Sequence, residues 1–105
     1  MDLEHMHKAQ EFKELSKGVA EKYQEWHKAV FDESKSPFDK KTMELIALAV
    51  SAAIRCSYCI EAHGQKAKGF GATEEEIAKV VQIASVVGAG SAIAYGLEAL
   101  DEKKE

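Results

Sequence analysis

From Val80 to Leu97 the chain carries no charged residue, and from Met43 to Ile54 it carries only Glu44. These two stretches limit the possible folds more than any other feature. Glu44 and Ser51 are the only polar residues in the first of them, and a helix that is apolar almost all round must be buried. A chain of 105 residues has a modest core of its own and has difficulty hiding two such helices. Burial between subunits is therefore expected. The small residues from Gly88 to Gly96 would let those helices approach closely. A membrane span is the other use for an apolar stretch. Here Gln82, Ser85, Ser91 and three glycines interrupt it, and no positive flank supports insertion. No membrane partner is expected.

The remaining pattern is also helical. Phe12, Leu15, Val19, Tyr23, Trp26 and Val30 recur at spacings of three and four, the mark of one helix face. This predicts helix over residues 3–33, with Gly18 able to split it in two. The apolar stripe reads as core or subunit contact. His5, His7 and His27 read as solvated; His5 and His7 do not share a helix face and make a poor metal pair. Ser34-Lys35-Ser36-Pro37-Phe38 holds the only proline and reads as a turn, after which Asp39 can cap a helix running to about Arg55. A short helix over 57–68 follows, ended by Gly69-Phe70-Gly71. Thr73 with Glu76 forms a capping box that opens the next helix. Gly88-Ala89-Gly90 predicts a break or kink, with helix resuming from Ser91 and the tail to Glu105 frayed. No strand pattern, internal repeat, P-loop, dinucleotide fingerprint or haem-attachment motif is present. The expectation is one all-α domain over 1–105, of five to six helices, assembled as a homo-oligomer.

A net charge of −4 and a pI near 5.6 argue against nucleic acid, whose backbone needs a basic face. The opening residues lack the layout of a signal peptide, so a cytoplasmic setting is expected. Thiols stay reduced there, and a cysteine pair is more often catalytic or metal-binding than a static staple.

Both cysteines of the chain lie in one motif, Glu44-x11-Cys56-x-x-Cys59-x3-His63. Residues three, four and seven apart share a helix face. A helix starting at or just after Cys56 therefore points Cys56, Cys59 and His63 the same way. A CxxC pair at a helix start is close enough to form a disulfide. The partial positive charge and unpaired N–H groups of that helix end favour thiolate over thiol. His63, one turn after Cys59, can take its proton or pair with its thiolate. Glu44, Ser51 and Arg55 form a narrow polar stripe on an otherwise apolar helix. A carboxylate buried there suits a proton acceptor working near neutral pH. From Glu44 to Arg55 a straight helix rises about 16 Å, and an antiparallel return brings His63 back to that level. The order is then Glu44, His63, Cys59, with Cys56 as the second sulfur.

This motif, followed by a glycine-rich turn and the Thr73-Glu74-Glu75-Glu76 helix start, resembles the carboxymuconolactone decarboxylase superfamily, and within it the AhpD-like alkylhydroperoxidases. The resemblance covers about residues 38–100. It implies an all-helical fold assembled as trimers or hexamers. It also implies hydroperoxide reduction by a cysteine pair, with Cys59 attacking, Cys56 resolving, and Glu44 and His63 relaying protons. No cofactor or metal is implied. The reductant would be a dithiol, a lipoyl-bearing protein among the candidates, or a thioredoxin-like protein. One position departs from the pattern: where the best-known members of that branch carry a histidine before the second cysteine, this chain has Tyr58. A phenol is a poor base at neutral pH, so the relay is shorter, and Tyr58 either orders the site or lines the substrate entrance. The namesake decarboxylases do not rely on a cysteine pair, so the pair argues against a decarboxylase-like reaction. Two non-enzymatic readings stand beside the peroxidase. Cys56, Cys59 and His63 could hold a metal, with Glu44 or a water as fourth ligand. Alternatively, the pair could sense oxidant in an oligomer without turnover.

Overall fold

The computed structural model describes residues 3–100. They contain five α-helices, two short 3-10 turns and no strand, so the all-α expectation holds. The expected fraying of the tail to Glu105 lies outside the described residues, as does the side chain of His5. The chain divides into two compact units between Lys40 and Lys41.

The first unit holds α1 (Leu3–Leu15) and α2 (Val19–Val30). The helix expected over 3–33 does split at Gly18. Lys17 and Gly18 adopt left-handed backbone, with φ of 48° and 92°, and a glycine meets that requirement at little steric cost. The Val19 amide donates to the Ser16 carbonyl at 3.1 Å across the break. Phe12, Leu15, Val19, Tyr23, Trp26 and Val30 are all exposed, so the stripe is not core. An open groove of about 1110 Å³ runs along α1 and α2, lined by Met6, Phe12, Val19 and Tyr23 among others. His7 is exposed, while His27 is only partly so and stacks on Phe31 with ring centres 4.7 Å apart. The predicted turn contains a 3-10 segment, Glu33–Lys35, held by Asp32, whose Oδ1 accepts from the Ser34 amide at 3.0 Å and from the Ser34 hydroxyl at 2.7 Å. The Lys40 amide, at the start of the next helix, donates to Glu33 Oε2 at 3.0 Å.

The second unit is built from α3 (Lys40–Ala53), α4 (Ser57–Gly69) and α5 (Glu74–Gly96). The two joints use the same device. At the end of α3 the Cys56 amide donates to Ser51 O at 3.0 Å and the Arg55 amide to Ala52 O at 3.2 Å. At the end of α4 the Ala72 amide donates to Ala67 O at 2.9 Å and the Gly71 amide to Lys68 O at 3.0 Å. Each is a Schellman closure, which needs one left-handed residue just past the helix. Arg55 (φ 58°) and Gly71 (φ 96°) fill that place. Arg55 therefore lies outside α3 and does not extend the Glu44–Ser51 stripe, which corrects the reading that ran the helix to it.

The capping box forms as expected. Thr73 Oγ1 accepts from the Glu76 amide at 3.0 Å, and the Thr73 amide donates to Glu76 Oε1 at 2.9 Å. The other Glu76 oxygen accepts from Lys41 Nζ at 3.0 Å, tying the start of α5 to the start of α3. The break predicted at Gly88-Ala89-Gly90 does not occur; α5 runs unbroken for 23 residues. A glycine weakens a helix by only about 1 kcal/mol and still supplies its N–H and C=O to the ladder. Two such penalties do not break this 23-residue helix.

Among the described residues the buried set is small: Met43, Leu48 and Ala67, with Glu44 and Ser51. Ser51 satisfies its hydroxyl by donating to Ala47 O at 2.7 Å. Gly64 of α4 faces Leu48 of α3, and a Cβ there would sit in ordinary contact 4.0 Å from Leu48 Cδ1. The apolar residues of α5 (Val81, Ile83, Val86, Val87, Ile93 and Tyr95) are exposed in the single chain. By length and composition alone, Glu74–Ala99 could also cross a membrane.

Candidate active site

The site starts with the short link between α3 and α4. Because the Schellman closure takes only Ile54 and Arg55, Cys56 falls directly at the N-cap of α4. Its backbone is extended there, and its Sγ accepts from the Cys59 amide at 3.2 Å. A cap normally uses an oxygen for this task; here a sulfur meets one of the unpaired amides of the helix start. The same geometry brings the two cysteines to a Cα–Cα distance of 5.2 Å, and they are joined as a disulfide. Both are partly exposed, so the pair is open to exchange with an outside thiol.

One turn further along α4 is His63. Its Nδ1 lies 2.6 Å from Glu44 Oε2, across 19 residues of sequence. The antiparallel return expected from the sequence thus places the two side chains in direct contact. The Glu44 side chain is 7 % exposed and that of His63 is 16 % exposed. A buried carboxylate is costly unless it is paired and hydrogen-bonded, and His63 provides that partner. With Nδ1–H donating to the carboxylate, the basic nitrogen of the neutral ring is Nε2. Leu48 and Ala67, one turn beyond Glu44 on α3 and His63 on α4 respectively, are also buried. Chemically, the arrangement offers a carboxylate that can hold a proton, an imidazole that can pass one, and a two-electron thiol–disulfide couple on one short helix.

Tyr58 occupies the first turn of α4 between the cysteines and is 47 % exposed. No group of three or more His, Cys, Asp or Glu among the described residues is placed to hold a metal ion; Cys56 and Cys59 are joined to each other here. The residue that sequence reasoning misplaced is Arg55. Its signal was present, because a helix followed by an N-capping cysteine must end early enough to leave a left-handed residue just before that cap, and that residue is Arg55.

A family model described as the carboxymuconolactone decarboxylase family matches residues 17–102. The chain belongs to that family. Its AhpD-like character is carried by relatives of that name: it is 41% identical over 63 residues to an alkyl hydroperoxide reductase AhpD of Frankia alni, covering 60% of this chain and 32% of that protein. It is 42% identical over 62 residues to an uncharacterized protein in the cox locus of Paracoccus denitrificans, covering 59% of this chain and 56% of that one. The matched stretch thus spans about half the length of the Paracoccus relative and about a third of the Frankia one. Among solved structures, the apo form of lpg0406, a carboxymuconolactone decarboxylase family protein from Legionella pneumophila, superposes with a TM-score of 0.74 at 28% identity, over 91% of this chain and 84% of that one. A protein from Methanobacterium thermoautotrophicum superposes at 0.68 with 35% identity, over 74% of this chain and 87% of that one. Within this family the all-helical fold and the AhpD-like assignment agree with the CxxC pair on α4.

Proposed function

We propose that this family member is a thiol-dependent peroxidase and disulfide oxidoreductase acting through Cys56 and Cys59. The observation that carries the reading is the 2.6 Å contact between His63 and buried Glu44, one turn from the disulfide on the same helix. A structural cysteine staple has no need of a proton relay behind it. In the reduced protein, Glu44 and His63 take the Cys59 proton. The Cys59 thiolate attacks one peroxide oxygen; the O–O bond breaks, the alcohol leaves with a proton from His63, and Cys59 becomes a sulfenic acid. The Cys56 thiol attacks that sulfur, water leaves, and the disulfide forms. An external dithiol, lipoyl-type or thioredoxin-like, then supplies two electrons and is itself oxidised to a disulfide. Tyr58 lines the approach. The exposed apolar faces of α2 and α5 support assembly as a trimer or hexamer, and the reduced resting state that the cycle needs suits a cytoplasmic setting.

The test uses reduced protein mixed with an organic hydroperoxide and followed by mass spectrometry, with a dithiol added afterwards. Wild type should lose two hydrogens, regain them on dithiol addition, and repeat the cycle many times. Cys59→Ser should not turn over. A Cys59→Ser protein that reduces hydroperoxide as fast as wild type would rule the mechanism out.

A further inference from the structure

The two Schellman closures of the second unit present the same backbone demand and answer it differently. Gly71 meets it at the end of α4, whereas Arg55 meets it at the end of α3, with φ of 58°. A left-handed conformation opposes a Cβ by roughly 1–2 kcal/mol, and glycine would avoid that. Nothing in the hydrogen bonding calls for an arginine, since the closure uses only the Arg55 and Cys56 amides. Arg55 is exposed, and its side chain takes no ion pair or hydrogen bond among the described residues. What distinguishes the position from Gly71 is its neighbour: the next residue is Cys56, the N-cap whose sulfur already accepts an amide hydrogen bond.

We propose that Arg55 is a positioning charge for the redox pair, favouring the reduced form and making the disulfide a stronger oxidant. This rests on the redox reading above. When an external dithiol reduces the pair, the Cys56–Cys59 bond breaks and the dithiol closes to its own disulfide. One protein sulfur leaves as thiolate and the other keeps a proton, while the second proton goes to the Glu44–His63 pair or to water. Only the product carries a new negative charge at the helix start. A guanidinium one residue away stabilises that charge and does nothing comparable for the neutral disulfide. Arg55 acts in concert with the amides of the α4 N-terminus and does not touch substrate.

The test is the redox equilibrium of the full chain in dithiothreitol buffers of graded ratio, read by thiol alkylation and mass spectrometry. Arg55→Asn removes the charge with a residue that tolerates left-handed backbone, Arg55→Gly removes both charge and backbone strain, and Arg55→Lys keeps the charge. Arg55→Asn and Arg55→Gly should each favour the disulfide about tenfold more than wild type, which is about 30 mV toward more reducing potentials. Arg55→Lys should stay within about threefold of wild type. High salt should narrow the gap between wild type and Arg55→Asn, because at 1 M the screening length falls to about 3 Å. Equal equilibria for wild type and Arg55→Asn would overturn the proposal, as would an Arg55→Lys shift as large as that of Arg55→Asn. A wild-type pair that never exchanges with dithiol at any ratio would sink the redox reading itself, and this proposal with it.

Discussion

Replacing Glu44 by glutamine tests the heart of the site with little change in shape. The glutamine carbonyl can still accept from His63 Nδ1–H at the 2.6 Å position now held by Oε2, so packing and the hydrogen bond persist while the charge is lost. Hydrogen bonds to charged groups stabilise by about 1.5–3 kcal/mol and neutral ones by about 0.5–1.5 kcal/mol. The substitution should therefore destabilise the fold by about 1 kcal/mol, or about 4–8 °C in Tm for a domain of this size. The chemical effect should be much larger. Glutamine cannot take a proton, and positioned proton transfer contributes about 10²–10⁴-fold. Oxidation of the reduced pair by an organic hydroperoxide, followed in a stopped-flow instrument, should slow by at least about 10²-fold at neutral pH. Glu44→Ala would mix this effect with a cavity and an unpartnered histidine, so glutamine is the cleaner change. If Glu44→Gln lowers Tm as expected yet oxidises at the wild-type rate, Glu44 is only a packing partner for His63 and the relay is refuted.

Three further outcomes follow from other parts of the structure. Thr73→Ala removes the oxygen that accepts from the Glu76 amide and should lower stability by about 1 kcal/mol in chemical denaturation, with hydroperoxide turnover unchanged. The Thr73 amide, and then Lys41, hold the Glu76 carboxyl below its usual value near 4.5. A depressed carboxylate adds stability that is present above the unfolded value and lost as the pH falls through the folded one. Denaturation midpoints should therefore drop more steeply below about pH 4.5 in wild type than in Glu76→Gln; parallel curves would show that Glu76 contributes nothing there. Gly88 has open space around it within the chain, so Gly88→Phe should fold with unchanged helix content. If that face of α5 packs against another copy, the same variant should sediment as smaller species; an unchanged sedimentation profile would take Gly88 out of any subunit contact.

Much of this protein follows from local chemistry, which a sequence displays openly. The 3.6-residue period and the Thr73–Glu76 box act within a few residues of each other, so helix positions and the start of α5 could be read directly. The left-handed requirement at Gly18 is equally local. The spacing of Cys56, Cys59 and His63 places them on one stripe by helix geometry alone. Local rules misled where opposing tendencies had to be weighed. Two glycines suggested a break in α5, but a glycine costs a helix little and keeps its place in the hydrogen-bond ladder, which runs on unbroken. Periodicity counted Arg55 into α3, yet a helix end is set by where the chain must turn, and the Cys56 cap decided that. The aromatic stripe of α2 shows the helix face clearly but does not say what covers it, and in the single chain it is exposed. The Glu44–His63 contact spans 19 residues, and only the packing of α4 against α3, with Gly64 beside Leu48, brings the two side chains within hydrogen-bonding reach. Tertiary structure thereby brings Glu44 and His63 into contact and closes the Cys56–Cys59 disulfide, because a buried carboxylate needs a partner that only the fold can deliver.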